Sequence, residues 1–485
     1  MKKTKLEEII LRLKKDTNHA SDITYRKKIV CKKVVYLIYN EPLTSSDKIS
    51  DFIVRSLDRI NKTYHNGANL EENILNEIDN FKVKKISTYE DISYYLNYGF
   101  TILLIEGSKY FFALETKGNL ARGIGSPQTE NALRGAMDSF VEDMQTNIGL
   151  IRRRIKDNRL WIKSEEIGRY TKTKVNIFYL KGVCKEEIVD YADAMLKKID
   201  IDGIISSGWI KNLIEDENKS VFPTVFSTER PDKVCQALLS GRIVIMVDCS
   251  QFALILPAVL NDMFLSTEDG FSKSVNISIT RIIRYTAFFI TLFTPGVYLA
   301  MTTYNQEMLP TKLLVSFASQ RATVPFPAFV EALIMMLAFE ILRECDLRSP
   351  TFTTSALSTV GALILGEAAV NAGIVSPIMI IVIAITSLSA LIFTEPEMTN
   401  GLRWYRLLFM FGGIFMGIIG VVMGFMYTII KLCSLESFGV PYLLPFSPTS
   451  FTGLKNSLVK FPAKDLNKRE KALSHNITKY RDIQR

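Results

Sequence analysis

The chain has 485 residues, 22% of them charged, and its mean hydropathy is nevertheless positive at +0.14. This length allows two or three domains, each with its own core. Charges are frequent from Met1 to Arg284 and sparse from Tyr285 to Ile430, so polar and apolar residues are segregated. The net charge of +9 fits nucleic acid or an anionic membrane, and the lack of a nucleic-acid motif favours the membrane.

The cysteine and histidine content argues against a metal site. The six cysteines form no C-x-x-C pair, and the chain has only three histidines. Scattered cysteines are typical of small buried hydrophobic side chains in a reducing compartment. We therefore expect no metal and no other cofactor.

The N-terminal half predicts a cytoplasmic α/β domain over residues 34–283, preceded by a charged segment over residues 1–33. The N-terminus is amphipathic without a long apolar core, so no signal peptide is expected. Val34–Asn40 predicts a strand, and Phe100–Thr116 predicts a hairpin. A boundary near Gly182 would divide the domain into two lobes.

Three apolar runs predict a transmembrane domain over residues 284–432. Tyr285–Tyr304 has 20 residues without a charge, Ser349–Thr394 has 46 with only Glu367 charged, and Leu407–Ile430 has 24 uncharged residues. A spanning helix needs about 20 apolar residues, so these runs predict one, two and one spans. The long run breaks near residues 371–373, and Ser376 with Pro377 fits a capping serine and a first-turn proline.

A further stretch, Pro325–Leu342, is apolar but contains Glu331 and Glu340. Phe329, Leu333, Leu337 and Ile341 recur every four positions, as on one stripe of a helix. This pattern favours an amphipathic interfacial or re-entrant helix over a span. The predicted fold is thus an α/β domain followed by about four spans and one such helix.

Residues 433–485 predict an interfacial segment and a basic cytoplasmic tail. From Phe451 to Arg485 there are nine Lys/Arg against three acids, which the positive-inside rule places on the cytoplasmic side. Tyr442 and Phe446 are expected to anchor the segment at the interface, and Trp404 and Tyr405 to form part of an interface belt. With both ends inside, an even number of crossings follows.

Glu367 is the first candidate functional residue, because a charge within a predicted span should face protein or water. Ser358, Ala362 and Gly366 give the same segment a face of small residues. Two interpretations remain open for these four residues. They pack tightly against neighbours, or they line an ion path in an oligomer.

Arg152, Arg153 and Arg154 close a helix predicted from Met137, where cations suit the helix dipole. They point in different directions, so some of them should meet acidic partners within the domain or on another subunit. No set of nucleophile, base and acid is recognisable, and no G-x-S-x-G or H-E-x-x-H motif occurs. We therefore do not expect an enzyme.

Several stretches together resemble GerA-type spore germination receptor A subunits, from about Val34 to Pro448. They are SPQTENALRG (126–135), FVED (140–143), NIGLIRRR (147–154), VPFPAFVEA (324–332), GEAAV (366–370), AGIVSP (372–377) and FGVPY (438–442). Ala136–Asp138 departs from the family's usual basic or proline-containing stretch. Glu130 and Arg134 of the first motif, with the three arginines, are candidate subunit contacts.

The resemblance implies a multi-pass subunit of a nutrient-sensing complex in the spore inner membrane. Such a subunit works with a transporter-like B subunit and a lipoprotein C subunit, and oligomerises around a pore that releases cations when a nutrient binds. Ser358, Ala362, Gly366 and Glu367 would line that pore. Three alternatives stay open: a related channel that amplifies germination without sensing nutrients, a small-solute transporter, and a scaffold that clusters receptors.

Overall fold

A computed structural model of the chain contains two five-stranded antiparallel sheets followed by a layer of long helices. The structure describes residues 5–63, 70–78, 83–118, 125–130, 135–215, 220–348, 366–393, 395–462, 465 and 468–475.

The first sheet has the strand order β1-β2-β4-β5-β3. Its strands are β1 Ile23–Val30, β2 Lys33–Asn40, β3 Val83–Ile86, β4 Phe100–Ile105 and β5 Phe111–Glu115. Its helices are α1 Lys5–Asp16, α2 Ser46–Lys48, α3 Arg55–Thr63, α4 Leu70–Glu77 and α5 Tyr89–Asn97, with a π-helical stretch, Ile49–Val54, joining α2 to α3. The predicted strand at Val34 and the hairpin are both present.

The sheet begins before the predicted start of the α/β domain. Strand β1 pairs along its whole length with β2, and Leu13 of α1 is fully buried in the same core. Because β1 carries Arg26, Lys27 and Lys28 on an outer strand, it shows little of the apolar alternation by which strands are recognised.

The second sheet has the order β6-β7-β9-β10-β8. Its strands are β6 Leu160–Ile167, β7 Thr173–Leu180, β8 Phe226–Thr228, β9 Ile243–Val247 and β10 Ala253–Leu256, and its helices are α6 Met144–Arg154, α7 Glu186–Lys198, α8 Ser207–Glu215 and α9 Pro231–Leu239. The predicted boundary near Gly182 is wrong, because this glycine lies between β7 and α7 of one sheet unit. The two units meet between β5 and α6. Helix α6 starts at Met144 instead of Met137, because Asp143 caps it by accepting the N–H of Thr146.

Both faces of the second sheet are covered. Ile243, Ile245 and Val247 of β9 belong to a core shared with α7, whereas Val244 and Met246 point into a second core. This second core continues without interruption to Phe288 and Leu292 of the first long helix, and to Phe409 of the last. The sheet unit and the helical layer therefore share one hydrophobic core.

The helical layer consists of α10 Ser274–Thr303, α11 Thr311–Arg321, α12 Ala328–Arg348, α13 Pro377–Ala390 and α14 Pro396–Ser434, with residues 366–371 also helical. Among the described residues, α10 and α14 are long and apolar enough to cross a bilayer, and α13 is a shorter apolar helix. The break predicted at residues 371–373 is present, with Gly373 at a φ of 64°. The four predicted spans are not all represented, since residues 349–365 lie outside the described part of the chain.

Helix α14 is folded back on itself, which corrects the prediction of one continuous span over Leu407–Ile430. Gly417 has a φ of 61° and a ψ of −143°, and Asn305 accepts a hydrogen bond from the N–H of Ile418 at this turn. A Cβ built on Gly412 would lie 2.7 Å from the carbonyl oxygen of Gly420. In a straight helix these residues would be about 12 Å apart, so residues 396–416 and 418–434 are two antiparallel arms.

Helix α12 does not have the predicted amphipathic, interfacial arrangement. Ala332 and Met335 are buried, yet Leu337 and Ile341 are exposed, so its apolar side chains cover all faces. It runs antiparallel to the first arm of α14: the rings of Phe329 and Phe411 are 5.4 Å apart at one end, and Arg403 pairs with Glu340 at 2.8 Å towards the other. Glu331 and Glu340, the two charges of the predicted stretch, are paired with arginines and so do not form the polar face expected for an interfacial helix.

The segment after α14, here the tail segment (residues 435–475), packs on the second sheet unit. It contains β11 Glu436–Ser437, β12 Val440–Pro441 and α15 Phe451–Leu454. Ser474 donates a hydrogen bond to the carbonyl of Val183, and Tyr442 is fully buried. Tyr442 is therefore part of the protein core and not an interface anchor, whereas Phe446 is 37% exposed.

Two predictions about side-chain exposure are confirmed in part. Trp404 is 64% exposed, as expected for an interface belt, but Tyr405 stacks on Phe222 of the second sheet unit with ring centroids 4.8 Å apart. Three cysteines are buried, Cys31, Cys184 and Cys235, and three are exposed, Cys249, Cys345 and Cys433.

Candidate functional site

The structure describes two of the four candidate pore residues. Residues 366–371 are helical and run back along α13, where a Cβ on Gly366 would lie 3.9 Å from Ile380. Glu367 is exposed on the single chain. Ser358 and Ala362 lie outside the described residues. Because a carboxylate facing lipid is costly, the exposed side of Glu367 requires water or another protein surface.

Glu331 of α12 is the most deeply buried carboxylate of the helical layer, with a relative exposure of 0%. Its Oε2 accepts hydrogen bonds from the backbone N–H and the hydroxyl of Ser376, at 2.9 and 2.8 Å. Its Oε1 lies 3.5 Å from Nε of Arg321 in α11. One carboxylate thus joins three helices.

The same contacts explain how α13 begins. Ser376 occupies the N-cap position and Pro377 the first turn, but the serine hydroxyl makes no cap hydrogen bond. Glu331 instead accepts the free N–H at this helix start, where negative charge is stabilised by the helix dipole. Sequence reasoning treated Glu331 as a charge on an amphipathic surface. The signal that could have found it is an acidic residue inside an apolar helix.

A second cluster joins the sheet unit to the start of α14. Lys211 of α8 has a side chain only 4% exposed, and its Nζ lies 2.7 Å from both Glu395 Oε1 and Glu397 Oε2. Burial lowers the pKa of Lys211, but Glu395, Glu397 and Glu215 outweigh it, so the net pKa is raised and the ammonium is kept charged. Sequence reasoning did not identify this cluster, because its members are far apart in the chain.

Glu215 lies beside Lys211 at the end of α8. It accepts the backbone N–H groups of Thr224 and Val225 at 2.6 and 2.7 Å. Burial raises the pKa of Glu215 to about 7, and the negative charge of Glu397 adds to this, whereas Lys211 and the two N–H groups oppose it. Burial likewise raises the pKa of Glu395 against the pull of Lys211.

A third cluster joins the sheet unit and the tail segment to the start of α10. Arg281 is 2% exposed, donates to Asp269 at 2.8 Å and also donates to the carbonyls of Asn456 and Ser457. Arg284 pairs with the same Asp269 at 3.0 Å. These two arginines, which precede the first apolar run, form ion pairs inside the protein. Both helices that are long enough to cross a bilayer therefore begin in buried ion pairs with the sheet unit.

Most of the candidate subunit-contact residues have partners within the chain. Arg152 is 1% exposed and donates to both carboxylate oxygens of Asp22, at 2.8 and 3.1 Å. Arg154 pairs with Asp138 at 2.6 Å. The sequence left open whether these arginines meet acidic partners within the domain or on another subunit. Arg152 and Arg154 both have their partner within the same chain.

The remaining candidates divide between buried, exposed and undescribed positions. Glu130 is 8% exposed and accepts hydrogen bonds from Thr228 and Lys233. Arg153 is exposed, and Arg134 lies outside the described residues. Arg154 is exposed as well, although it is paired with Asp138.

Three polar contacts join successive elements between the sheet unit and residues 366–371. Lys211 connects α8 to α14, the Arg403–Glu340 pair connects α14 to α12, and Glu331 connects α12 to Ser376. Ser376 is three residues from Gly373, the turn that ends the helical residues 366–371. Buried or half-buried polar contacts, separated by stretches of α14 and α12, thus lie between the sheet unit and the segment that carries Glu367.

Comparison with known proteins identifies the family. The family model described as Bacillus/Clostridium GerA spore germination protein matches residues 11–472. Spore germination protein KA of Bacillus subtilis (strain 168) is 39% identical over 460 residues, which are 94% of this chain and 84% of that protein. Spore germination protein A1 of the same organism is 33% identical over 450 residues, covering 92% of this chain and 91% of that protein.

One solved structure is also similar. It is the crystal structure of the N-terminal domain of the A subunit of the Bacillus megaterium spore germinant receptor GerK3, which is 32% identical. The match covers 53% of this chain and 95% of that one, with a TM-score of 0.43. Since the family model and the two relatives extend over nearly the whole chain, the protein belongs to the GerA family of spore germination proteins.

Proposed function

We propose that the chain is the A subunit of a spore germinant receptor and forms a homo-oligomeric, nutrient-gated cation channel in the spore inner membrane. Its relatives are spore germination proteins, and the related N-terminal domain belongs to the A subunit of a germinant receptor. In this role the chain works with receptor B and C subunits and has no catalytic activity of its own.

The observation that carries the channel proposal is the exposure of Glu367 on a helical segment of an apolar layer. A charged side chain cannot face lipid cheaply, and small-residue neighbours such as Gly366 allow close approach of other helices. Copies of the chain arranged around an axis would place the carboxylates of Glu367 along a central water-filled path. Such a ring of carboxylates attracts cations.

The gating mechanism that the contacts support starts in the sheet unit. Nutrient recognition by the complex shifts α8, and the Lys211 pairs with Glu395 and Glu397 pull on the first arm of α14. That arm moves α12 through the Arg403–Glu340 pair, and Glu331 passes the movement to Ser376 and the turn at Gly373. The turn then reorients residues 366–371 and with them the carboxylate of Glu367.

The proposed orientation places the sheet units and the tail segment in the cytoplasm. The tail segment hydrogen-bonds the second sheet unit through Ser474 and Val183, so both are on one side of the helical layer. The two arms of α14 begin and end on that side, at Glu395 and at Ser434. This is consistent with an even number of crossings and with a basic tail held inside.

The test is cation flux through liposomes that contain the chain with its co-encoded partners, with and without candidate nutrients. Flux that depends on a nutrient supports the proposal. Flux that is independent of nutrients and partners would indicate a channel that does not sense them. If assembly is confirmed and no flux occurs, the channel proposal fails and a scaffold remains, whereas saturable solute uptake would indicate a transporter.

A further inference from the structure

A cavity of about 440 Å³ lies at the junction of the second sheet unit, the start of α10 and the tail segment. Helix α9 and residues 259–270 form one wall, and residues 444–460 and 468–473 of the tail segment form the other. Its floor is apolar, with Phe226, Ile255 and Leu444. This volume and this mixture of an apolar floor with polar walls are typical of sites for small ligands.

The walls of the cavity carry an excess of positive charge. Three acidic side chains line it, Asp262, Asp269 and Glu470, against six basic ones, Lys233, Arg242, Arg281, Lys460, Lys468 and Arg469.

The three carboxylates are already engaged. Asp262 pairs with Arg242, Asp269 pairs with Arg281, and Glu470 accepts the hydroxyls of Ser450 and Thr452. Lys233 is bonded to Glu130 outside the cavity. On the tail segment, Lys460, Lys468 and Arg469 line the cavity together with one carboxylate, Glu470, so this wall carries an excess of two positive charges. The Nζ of Lys460 also donates to the backbone carbonyl of Asp269, and the Nε of Arg469 donates to that of Leu239.

The surroundings of Lys460 and Arg469 lower the pKa of both side chains. Burial and the charge of Arg281 lower the pKa of Lys460, while Asp269 opposes them, and burial and the charge of Arg159 lower the pKa of Arg469. An anion bound at either side chain would favour its charged form.

We propose that this cavity binds a phosphate-bearing anion and thereby fastens the tail segment to the start of α10. Phosphate groups are the anions that clustered Lys and Arg side chains recognise best, because they accept several charge-assisted hydrogen bonds at once. Arg281 of α10 is held at the cavity by Asp269 and by the carbonyls of Asn456 and Ser457. Its guanidinium group is therefore preorganised for an anion.

The phosphate could belong to an anionic phospholipid or to a soluble organic phosphate. The tail segment lies directly on α10, where the N–H of Lys460 donates to the hydroxyl of Ser278. Apolar side chains on α10 and on the tail segment are exposed, with Val275 at 72%, Ile279 at 55% and Phe451 at 81%. A phospholipid would place its headgroup in the cavity and its chains on these residues, whereas a soluble phosphate would use the cavity alone.

The experiment uses the full chain purified in detergent, and its Tm is followed by tryptophan fluorescence. The probes are pyrophosphate, against sodium chloride at matched ionic strength, and dioctanoyl phosphatidylglycerol, against dioctanoyl phosphatidylcholine. The variant is Lys460→Gln with Lys468→Gln. The matched control is Lys455→Gln with Lys471→Gln, which removes two exposed charges of the same segment outside the cavity.

We expect a saturable rise in Tm of about 3 °C in the native chain and in the control, and less than half of it in the cavity variant. A rise with pyrophosphate alone assigns the site to a soluble phosphate, and a rise with phosphatidylglycerol alone assigns it to a headgroup. If the cavity variant does not fold, Lys468→Gln, at an exposed rim position, is compared with Lys455→Gln instead. No saturable rise with either probe, or an equal rise in cavity and control variants, overturns the proposal.

Discussion

Removing water from a charged side chain costs several kcal/mol, and the chain offsets this cost by burying charges next to their partners. Glu331 shows the principle most clearly, since its relative exposure is 0% and one of its oxygens accepts two hydrogen bonds from Ser376. Arg152 with Asp22 repeats it between the sheet units, and Arg281 with Asp269 repeats it at the start of α10. At these positions the partner, and not the charge alone, determines what a substitution does.

Replacing Glu331 should therefore cost far more than replacing Ser376. Glu331→Ala leaves Arg321 without its ion-pair partner and the free N–H at the start of α13 without its acceptor, so we expect a loss of about 3–5 kcal/mol. Ser376→Ala removes the hydroxyl and retains the backbone hydrogen bond, so we expect a loss of about 1 kcal/mol. Thermal unfolding of the full chain in detergent compares the two, and equal small losses would show that Glu331 does not hold the three helices together.

Glu215 predicts a pH dependence of the joint between α8 and α14. Its folded pKa is raised by burial to about 7 from the ordinary value of 4.5, so at intermediate pH the folded chain keeps a proton that the unfolded chain has lost. Stability should then decrease as the pH rises from about 4.5 to about 7 and level off above that range. Glu215→Gln keeps an acceptor for the N–H groups of Thr224 and Val225 and removes the titration, so its Tm should change less over this range.

The matched control for this measurement is Glu187→Gln, an exposed glutamate on the same sheet unit. Its Tm should follow the native chain between pH 5 and pH 8. If Glu215→Gln and the native chain show the same slope over that range, Glu215 does not titrate as its environment implies.

At the scale of elements, the sequence predicted those whose pattern is local. Apolar runs of the right length and turn residues predict strand β2, the β4–β5 hairpin and α10. The fold-back of α14 has no such signal, because Gly417 is as apolar as its neighbours and hydropathy does not change across it. Its cause is a contact between distant residues: Gly412 and Gly420 let the two arms approach, and Asn305 binds the turn.

The fold-back makes a prediction about sidedness. Cys433, near the end of the second arm, and Cys249, in the second sheet unit, are both exposed and should lie on the same side of the membrane. Met308, in the exposed loop after α10, should lie on the opposite side. Three chains with a single cysteine are compared, with that cysteine at 433, at 249, or at 308 through Met308→Cys. Each is labelled in sealed vesicles with a membrane-impermeant maleimide, which reports the side of the membrane that the cysteine faces. Labelling of Cys433 together with Met308→Cys would mean that α14 crosses as one straight helix.

At the scale of the whole molecule, the segregation of charged and apolar residues predicted an α/β part and a helical part, but not how they are joined. The joint consists of Lys211 with Glu395 and Glu397, Arg281 with Asp269, and a hydrophobic core that runs from β9 to Phe409. Lys211 and Glu395 are 184 residues apart, and β9 is equally remote from Phe409, so no local pattern reveals these contacts. Arg281 and Asp269 are 12 residues apart, but an irregular connection between them hides the pairing. The tail segment was predicted at the interface for the same reason, since nothing near Tyr442 indicates that it packs on Phe222.

The joint matters to the proposed function, because in the proposed channel the sheet units and the helices must move together. If Glu367 faces a shared ion path, its charge attracts cations, and Glu367→Gln should lower nutrient-dependent potassium release from spores by about threefold or more while the complex still assembles. The matched control is Glu307→Gln, which removes an equally exposed carboxylate from the loop after α10. Assembly is checked by co-purification with the partner subunits. Release by the Glu367→Gln spores at the native rate, with the complex intact, would remove this residue from the ion path and leave tight packing as its role.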